Sequence, residues 1–93
     1  MSEPEPELTQ EELVEQIKKL KVSDLLLSTL TTLAQIAYAK LEEGSRDLEQ
    51  AQVAIDAIGA LLPLIEGHLP EELARDLRRM EGNLKLAYAS AAG

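Results

Sequence analysis

The middle of the chain carries apolar residues at alternating spacings of three and four, and this periodicity constrains the fold more than any other feature. The seam consists of Leu48, Ala51, Ile55, Ile58, Leu62 and Ile65. Side chains three and four residues apart share one face of an α-helix, whereas a strand alternates at every second residue. The segment is therefore predicted to be a helix with a continuous apolar face.

The same periodicity, combined with helix start and stop signals, predicts four helices at about 9–21, 23–43, 46–66 and 70–89. Ser, Thr and Asp favour the N-cap, Gly favours the C-terminal end, and Pro is tolerated in the first turn. The residues that supply these signals are Thr9 with Glu12, Ser23 or Asp24, Gly44, Ser45, Gly67 and Pro70. No segment alternates in the manner of a strand.

The predicted fold class is all-α: an antiparallel helical bundle of three long helices plus a short N-terminal amphipathic helix. The composition agrees, because Leu and Ala are strong helix formers and the chain has two aromatic residues, both Tyr. Residues 1–8, MSEPEPEL, alternate Pro with Glu and are predicted to form a disordered acidic tail. Residues 9–93 then form a single helical domain.

Predicted helices 2 and 3 are apolar around more of their circumference than one small chain can hide. On helix 3 a second row lies opposite the seam, so that the apolar arc is roughly 220° wide at 100° per residue. Exposed rows of this kind mark interfaces, and we expect a homo-oligomer, most simply a dimer. Predicted helix 1 is expected either to pack on its own chain or to swap and pack on the partner chain. The predicted interface residues are Leu26, Leu30, Val53, Ala57, Ala60, Leu61 and Leu64.

Pro63 interrupts the pattern of predicted helix 3. Proline lacks the backbone N–H and its ring clashes with the carbonyl of Gly59, four residues earlier. Two outcomes follow: a kinked helix that continues to Ile65, or a helix that ends near Leu62. The kink is preferred, because the apolar spacing persists past the proline.

Charge and composition exclude several classes of partner. The net charge of −8 disfavours nucleic acid, which needs a positive surface, and the absence of Cys excludes disulfides and thiolate sites. The start of the chain lacks the positive and apolar segments of a secretory signal, so a cytoplasmic protein is expected. The most apolar stretch, Leu25 to Ala39, is too short and too polar to cross a membrane, and no membrane association is expected.

Three features were weighed as chemical sites, and none is predicted to be catalytic, to bind a cofactor or to bind a metal. His68 has no set of ligands around it. Asp56, the one charge between Gln50 and Ile65, is expected on the polar side of its helix, exposed or in a structural hydrogen bond. The basic residues Arg75, Arg78 and Arg79 have the spacing of a solvated, salt-bridged face.

The stretch from Asp47 to Leu73 reads DLEQAQVAIDAIGALLPLIEGHLPEEL. It resembles the small bacterial proteins grouped as domain of unknown function eighteen forty-four, and the likeness extends from Leu25 to Tyr88. The resemblance implies a helical fold and a bacterial cytoplasmic setting, and it implies no activity, cofactor or catalytic residue. The matching positions are Asp47, Leu48, Ala51, Ile55, Asp56, Leu61, Gly67, Leu69, Glu71, Glu72, Leu84, Lys85, Leu86 and Tyr88.

Three functions remain open from the sequence. The first is a non-enzymatic homo-oligomeric scaffold or protein-interaction module, which the wide apolar arcs favour. The second is an obligate subunit of a hetero-oligomeric complex, whose apolar row meets a different protein. The third is a small-molecule binder or enzyme that uses Asp56, which requires several polar groups converging on a pocket.

Overall fold

The computed structural model of the chain describes residues 9–93, and the predicted acidic tail at 1–8 lies outside this range. The described residues are 86% helical and contain no strand, which confirms the all-α prediction. The helices are α1 (Gln10–Lys19), α2 (Val22–Leu41), α3 (Leu48–Ile65) and α4 (Glu71–Ala92). A 3₁₀ turn, Glu66–His68, joins α3 to α4.

The observed caps agree with the sequence at α1 and differ at α3. The Thr9 side chain accepts a hydrogen bond from the backbone N–H of Glu12 at 3.1 Å, which confirms the first cap. At α3 the cap is Asp47, which accepts from the N–H of Gln50, and the prediction of Ser45 is wrong. The Ser45 hydroxyl instead donates to the carbonyl of Ala39 at 2.8 Å, where it satisfies the end of α2.

The boundaries of α2 and α4 also differ by a few residues from the prediction. α2 begins one residue earlier than predicted, after an extended Lys21, and neither Ser23 nor Asp24 serves as its cap. It ends at Leu41, because Glu42 is already extended. α4 follows Pro70 as predicted and continues to Ala92, three residues beyond the predicted end. The sequence therefore identified the helices, and local backbone geometry set their ends.

Pro63 lies inside α3, which continues without a break to Ile65. The alternative of a helix that ends near Leu62 is therefore wrong. Because proline has no N–H, the carbonyl of Gly59 loses its partner within the helix. Pro63 itself is exposed.

Helices α2, α3 and α4 pack against one another around a single core. The buried residues of α3 are Ala54 and five of the six residues of the predicted seam. The sixth, Leu48, is partly buried. The molecule is flat, with extents of 52 × 40 × 18 Å. A flat arrangement of helices leaves broad faces without a second layer, so apolar side chains remain on the surface. The core is formed by Leu30, Ala34, Ala37, Leu41, Ala51, Ala54, Ile55, Ile58, Leu62, Ile65, Leu77 and Leu84.

The glycine in the middle of α4 provides a first test of this arrangement. A Cβ atom added at Gly82 would meet no atom within 4 Å. Because glycine in a helix interior costs about 0.5–1 kcal/mol relative to alanine, Gly82→Ala is expected to raise the free energy of unfolding by that amount. Urea denaturation followed by circular dichroism measures the change.

The comparison variant is Gly59→Ala, on the side of α3 that meets α4. Its Cβ would lie 3.0 Å from Glu81 Oε2, so that the carboxylate must move aside. We expect a smaller gain than at Gly82. A larger gain at Gly59 than at Gly82 would contradict the close approach of α3 and α4 at this point.

Candidate functional site

The second apolar row of α3 remains on the surface. We call Val53, Ala57, Ala60 and Leu64 the outer row; Val53 is 57% exposed and Leu64 is 67% exposed. Ala60 is exposed and Ala57 is partly buried. At 100° per residue, the centre of the row lies about 130° around α3 from Gly59, whose side faces Glu81 of α4. It therefore faces away from α4.

α2 carries a second exposed apolar surface, which we call the α2 strip: Leu25, Thr29, Thr32 and Ile36. Leu25 is 58% exposed and Ile36 is 44% exposed. The hydroxyls of Thr29 and Thr32 donate to backbone carbonyls four residues earlier, at 2.9 and 3.0 Å. The hydroxyl donors of both residues are thus satisfied within the helix. The strip is less polar than its sequence suggests.

The predicted interface residues differ in exposure. Val53, Ala60 and Leu64 are exposed, whereas Leu30 is fully buried in the chain's own core. Leu30 therefore has no surface to offer a second chain. Leu26 and Leu61 are partly buried against the same core, and Ala57 is partly buried on the outer row. The exposed Leu25 and Ile36, eleven residues apart on one helical face, are not among the predicted residues.

α1 is exposed along its whole length, although it is strongly amphipathic. None of its residues is buried. Its apolar side, which we call the α1 stripe, consists of Leu13, Val14, Ile17 and the capping residue Leu20, all exposed by 46–65%. A ten-residue helix is marginal in isolation, so a stripe of this kind gains stability by packing against another surface.

Asp56 lies on the solvent side of α3, as its position on the helix predicts. It is exposed, and Gln52 Nε2, four residues earlier, donates a hydrogen bond to its carboxylate at 2.8 Å. The arrangement is a surface hydrogen bond between neighbouring turns, and it lacks the buried carboxylate on which a catalytic role for Asp56 depends.

Two of the three residues in the basic cluster of α4 form ion pairs. Arg78 Nε donates to Glu66 Oε2 at 2.6 Å, and this contact joins α4 to the 3₁₀ turn. The hydrogen bond to Glu66, followed by the charge of that carboxylate, raises the pKa of Arg78 above its ordinary value. Arg79 pairs more loosely with Asp76 at 3.9 Å. Further along α4, Lys85 pairs with Glu81 at 3.6 Å.

The remaining polar features do not form a ligand site. His68 is exposed in the 3₁₀ turn, and the described part of the chain contains no group of three His, Cys, Asp or Glu side chains placed to hold a metal ion. An open depression beside this turn is lined by residues that include Glu66, Leu69, Glu71, Arg75 and Arg78. Two of its charged residues, Glu66 and Arg78, are paired with each other.

One helical segment, Leu48–His68, is long and apolar enough by composition to cross a membrane. Six residues of α3 within it are buried in the chain's own core. The core helix of a folded domain has the same length and composition, so this segment does not by itself indicate a membrane protein.

Comparison with protein-family models, with curated proteins and with solved structures finds no match to this chain. The resemblance to domain of unknown function eighteen forty-four therefore stays a prediction. The exposed large apolar side chains are concentrated in the outer row, the α2 strip and the α1 stripe.

Proposed function

We propose that this chain is a non-enzymatic homo-oligomeric interaction module, whose helical bundle assembles as a dimer through α2 and α3. The observation that carries the proposal is the outer row, an exposed apolar face on the same helix that supplies half of the core. Large apolar side chains exposed in a row mark association surfaces on small proteins. Asp56, the candidate for a chemical role, lies instead in an exposed surface hydrogen bond.

The outer row and the α2 strip together form one face in this proposal. The partly buried Leu26, Leu33 and Leu61 then fill the seam between α2 and α3. Such a face suits a two-fold interface, because Ala57 and Ala60 at the centre of the row are small enough to let the same helix of a second copy approach closely. Val53 and Leu64 would pack at its ends.

The size of this face is close to what a dimer requires. Two neighbouring helices of this length, about 27–30 Å long and about 10 Å apart, offer roughly 600 Å² on one side. Stable interfaces bury about 800 Å² on each partner. The face is thus large enough to nucleate association, and further contacts would be needed to reach the standard size.

Val53→Glu tests the proposal. We expect the wild-type chain to sediment as a dimer at micromolar concentration and the variant to dissociate at least about 100-fold more readily, because a charge would be buried twice across the two-fold axis. Val53 is exposed within one chain, so the variant should keep its helical circular dichroism. Sedimentation equilibrium gives both dissociation constants.

The matched control is Leu86→Glu, at an exposed apolar position of α4 outside the proposed face. This variant should dimerise like the wild type. A dimer that survives Val53→Glu would contradict the proposed face. A wild-type chain that stays monomeric at about 100 μM would overturn the proposal and favour the hetero-oligomeric alternative, in which the same face meets a different protein.

A further inference from the structure

The charges of α1 are separated along its length. Glu11, Glu12 and Glu15 precede its lysines, and Lys18, Lys19 and the following Lys21 lie at its C-terminal end. This order suits the helix dipole, yet it also makes the helix complementary to a reversed copy of itself. The apolar α1 stripe is exposed on the same helix. α1 therefore offers a second copy of itself both an apolar surface and complementary charges.

The positions of Glu11 and Lys18 make the complementarity specific. They are seven residues apart, so they lie within about 20° of each other on the helix surface, beside Val14 of the α1 stripe. When two helices pair antiparallel about a two-fold axis, like flanks face each other. Glu11 of one copy then lies opposite Lys18 of the other, and the two-fold symmetry forms this contact twice.

We propose that α1 pairs antiparallel with α1 of a second copy, with the α1 stripes in contact and Glu11 opposite Lys18 on both sides. The pairing rests on the proposed homodimer and deepens it, because it assigns an occupant to the one helix that the single chain leaves unpacked. Val14 stands nearest the two-fold axis, and Leu20 stands far from it. Along the length of the two paired helices, apolar residues of one copy alternate with those of the other.

Pairing of α1 also supplies contacts that the α2 and α3 face lacks. Two ten-residue helices, each about 15 Å long, bury too little surface to hold a dimer alone. Added to a face of roughly 600 Å², they bring the interface nearer the standard size. α1 is therefore expected to strengthen the dimer without being able to create it.

A charge exchange in the full chain tests the pairing. In 50 mM NaCl, Glu11→Lys and Lys18→Glu should each raise the dimer dissociation constant about 10- to 30-fold, because each replaces two attractive contacts by two repulsive ones. The double variant restores both attractions with reversed sign. Its dissociation constant should return to within about threefold of the wild-type value.

The rescue, with unchanged helical circular dichroism in all three variants, separates pairing from an effect within one helix. Lys18 pairs with Glu15 of its own helix at 3.7 Å, and Glu11→Lys places a lysine four residues before Glu15, so the helix content of each variant has to be measured beside its dissociation constant. Glu11 and Lys18 are too far apart in one helix to contact each other. A double variant weaker than either single variant, or single variants within twofold of the wild type, would overturn the pairing.

Cross-linking gives an independent measurement, because the natural chain contains no cysteine. Val14→Cys should form an intermolecular disulfide on mild oxidation, since the two introduced sulfurs would meet near the axis. Leu20→Cys should not form one, because the two copies of that position would lie about 16 Å apart along the helix axis, beyond disulfide reach. Equal cross-linking at both positions, or none at Val14 in a proven dimer, would overturn the antiparallel register.

The outcomes separate this inference from the proposed function. If Val53→Glu dissociates the dimer while the charge variants leave it unchanged, the α2 and α3 face stands and the α1 pairing falls. If the charge variants show rescue while Val53→Glu has no effect, the proposed face falls, and α1 pairs within a dimer that another surface of the chain holds together.

Discussion

Leu84→Ala is expected to lower the free energy of unfolding by about 2–5 kcal/mol. Leu84 is fully buried on α4 and belongs to the single core that joins α2, α3 and α4. Truncation removes apolar contacts and leaves a cavity, and both costs add. Because a domain of this size has a stability of roughly 5–15 kcal/mol, the loss is a large fraction of the total. Urea unfolding at fixed protein concentration measures it.

Leu86→Ala is the matched control, two residues further along the same helix and 71% exposed. A surface truncation of this kind changes stability by less than about 0.5 kcal/mol. The two variants share the residue type, the helix and the substitution, and differ in burial. A loss below about 1 kcal/mol at Leu84 would mean that α4 does not pack on the core as described.

Ala37→Leu is expected to destabilise the chain by about 1–3 kcal/mol, because added methyl groups overpack a dense core. Ala37 on α2 and Ala51 on α3 are both fully buried, and these two helices share the most extensive contact in the described chain. Small residues at such positions set the distance between helix axes. Thermal unfolding reports the effect as a lower midpoint, in proportion to the lost stability.

Ala39→Leu serves as the control, since Ala39 lies on the same helix and is exposed. Leucine and alanine both favour the helix, so this variant should leave the melting temperature nearly unchanged. Equal losses at Ala37 and Ala39 would indicate an effect on helix propensity or on the unfolded state. The tight packing of α2 against α3 would then lose its support.

The stability variants change residues of the core, whereas the association variants change exposed residues. Ile58 on α3 is buried, whereas Val53 and Leu64 on that helix are exposed. A helix that is apolar on two sides can pack into the core of its own chain with one side and bind a partner with the other. Destabilisation by Leu84→Ala should therefore occur within one chain, while Val53→Glu should change assembly and leave the folded chain intact.

The helices could be predicted from local pattern, and several of their ends could not. The seam of α3 and the cap at Thr9 were read correctly, because both depend on residues within a few positions of each other. Ser45 was misassigned as a cap, since its hydroxyl is used by the carbonyl of Ala39, six residues earlier. Asp47 then became the cap of α3. Both residue types can cap a helix, and the path of the loop decides which of the two does so.

The candidate surface was also predicted in part, because helical spacing shows which residues share a face and does not show which face the chain itself covers. The outer row of α3 followed from helical spacing and is exposed on the structure. Leu30 was placed at the interface because it belongs to the wide apolar arc of α2, yet the core of the chain covers it completely. The pairing of Arg78 with Glu66, twelve residues apart, gave no local signal at all.

The sequence by itself determined that this chain is all-α, where its helices lie and that α2 and α3 carry more apolar surface than one face requires. These properties depend on backbone preference and on side-chain periodicity, which act over a few neighbouring residues. Only the tertiary structure decided which part of each arc is covered, that α1 is left unpacked and that Arg78 joins α4 to the turn. Burial depends on how neighbouring helices are arranged in space, and helical spacing contains no information about those neighbours.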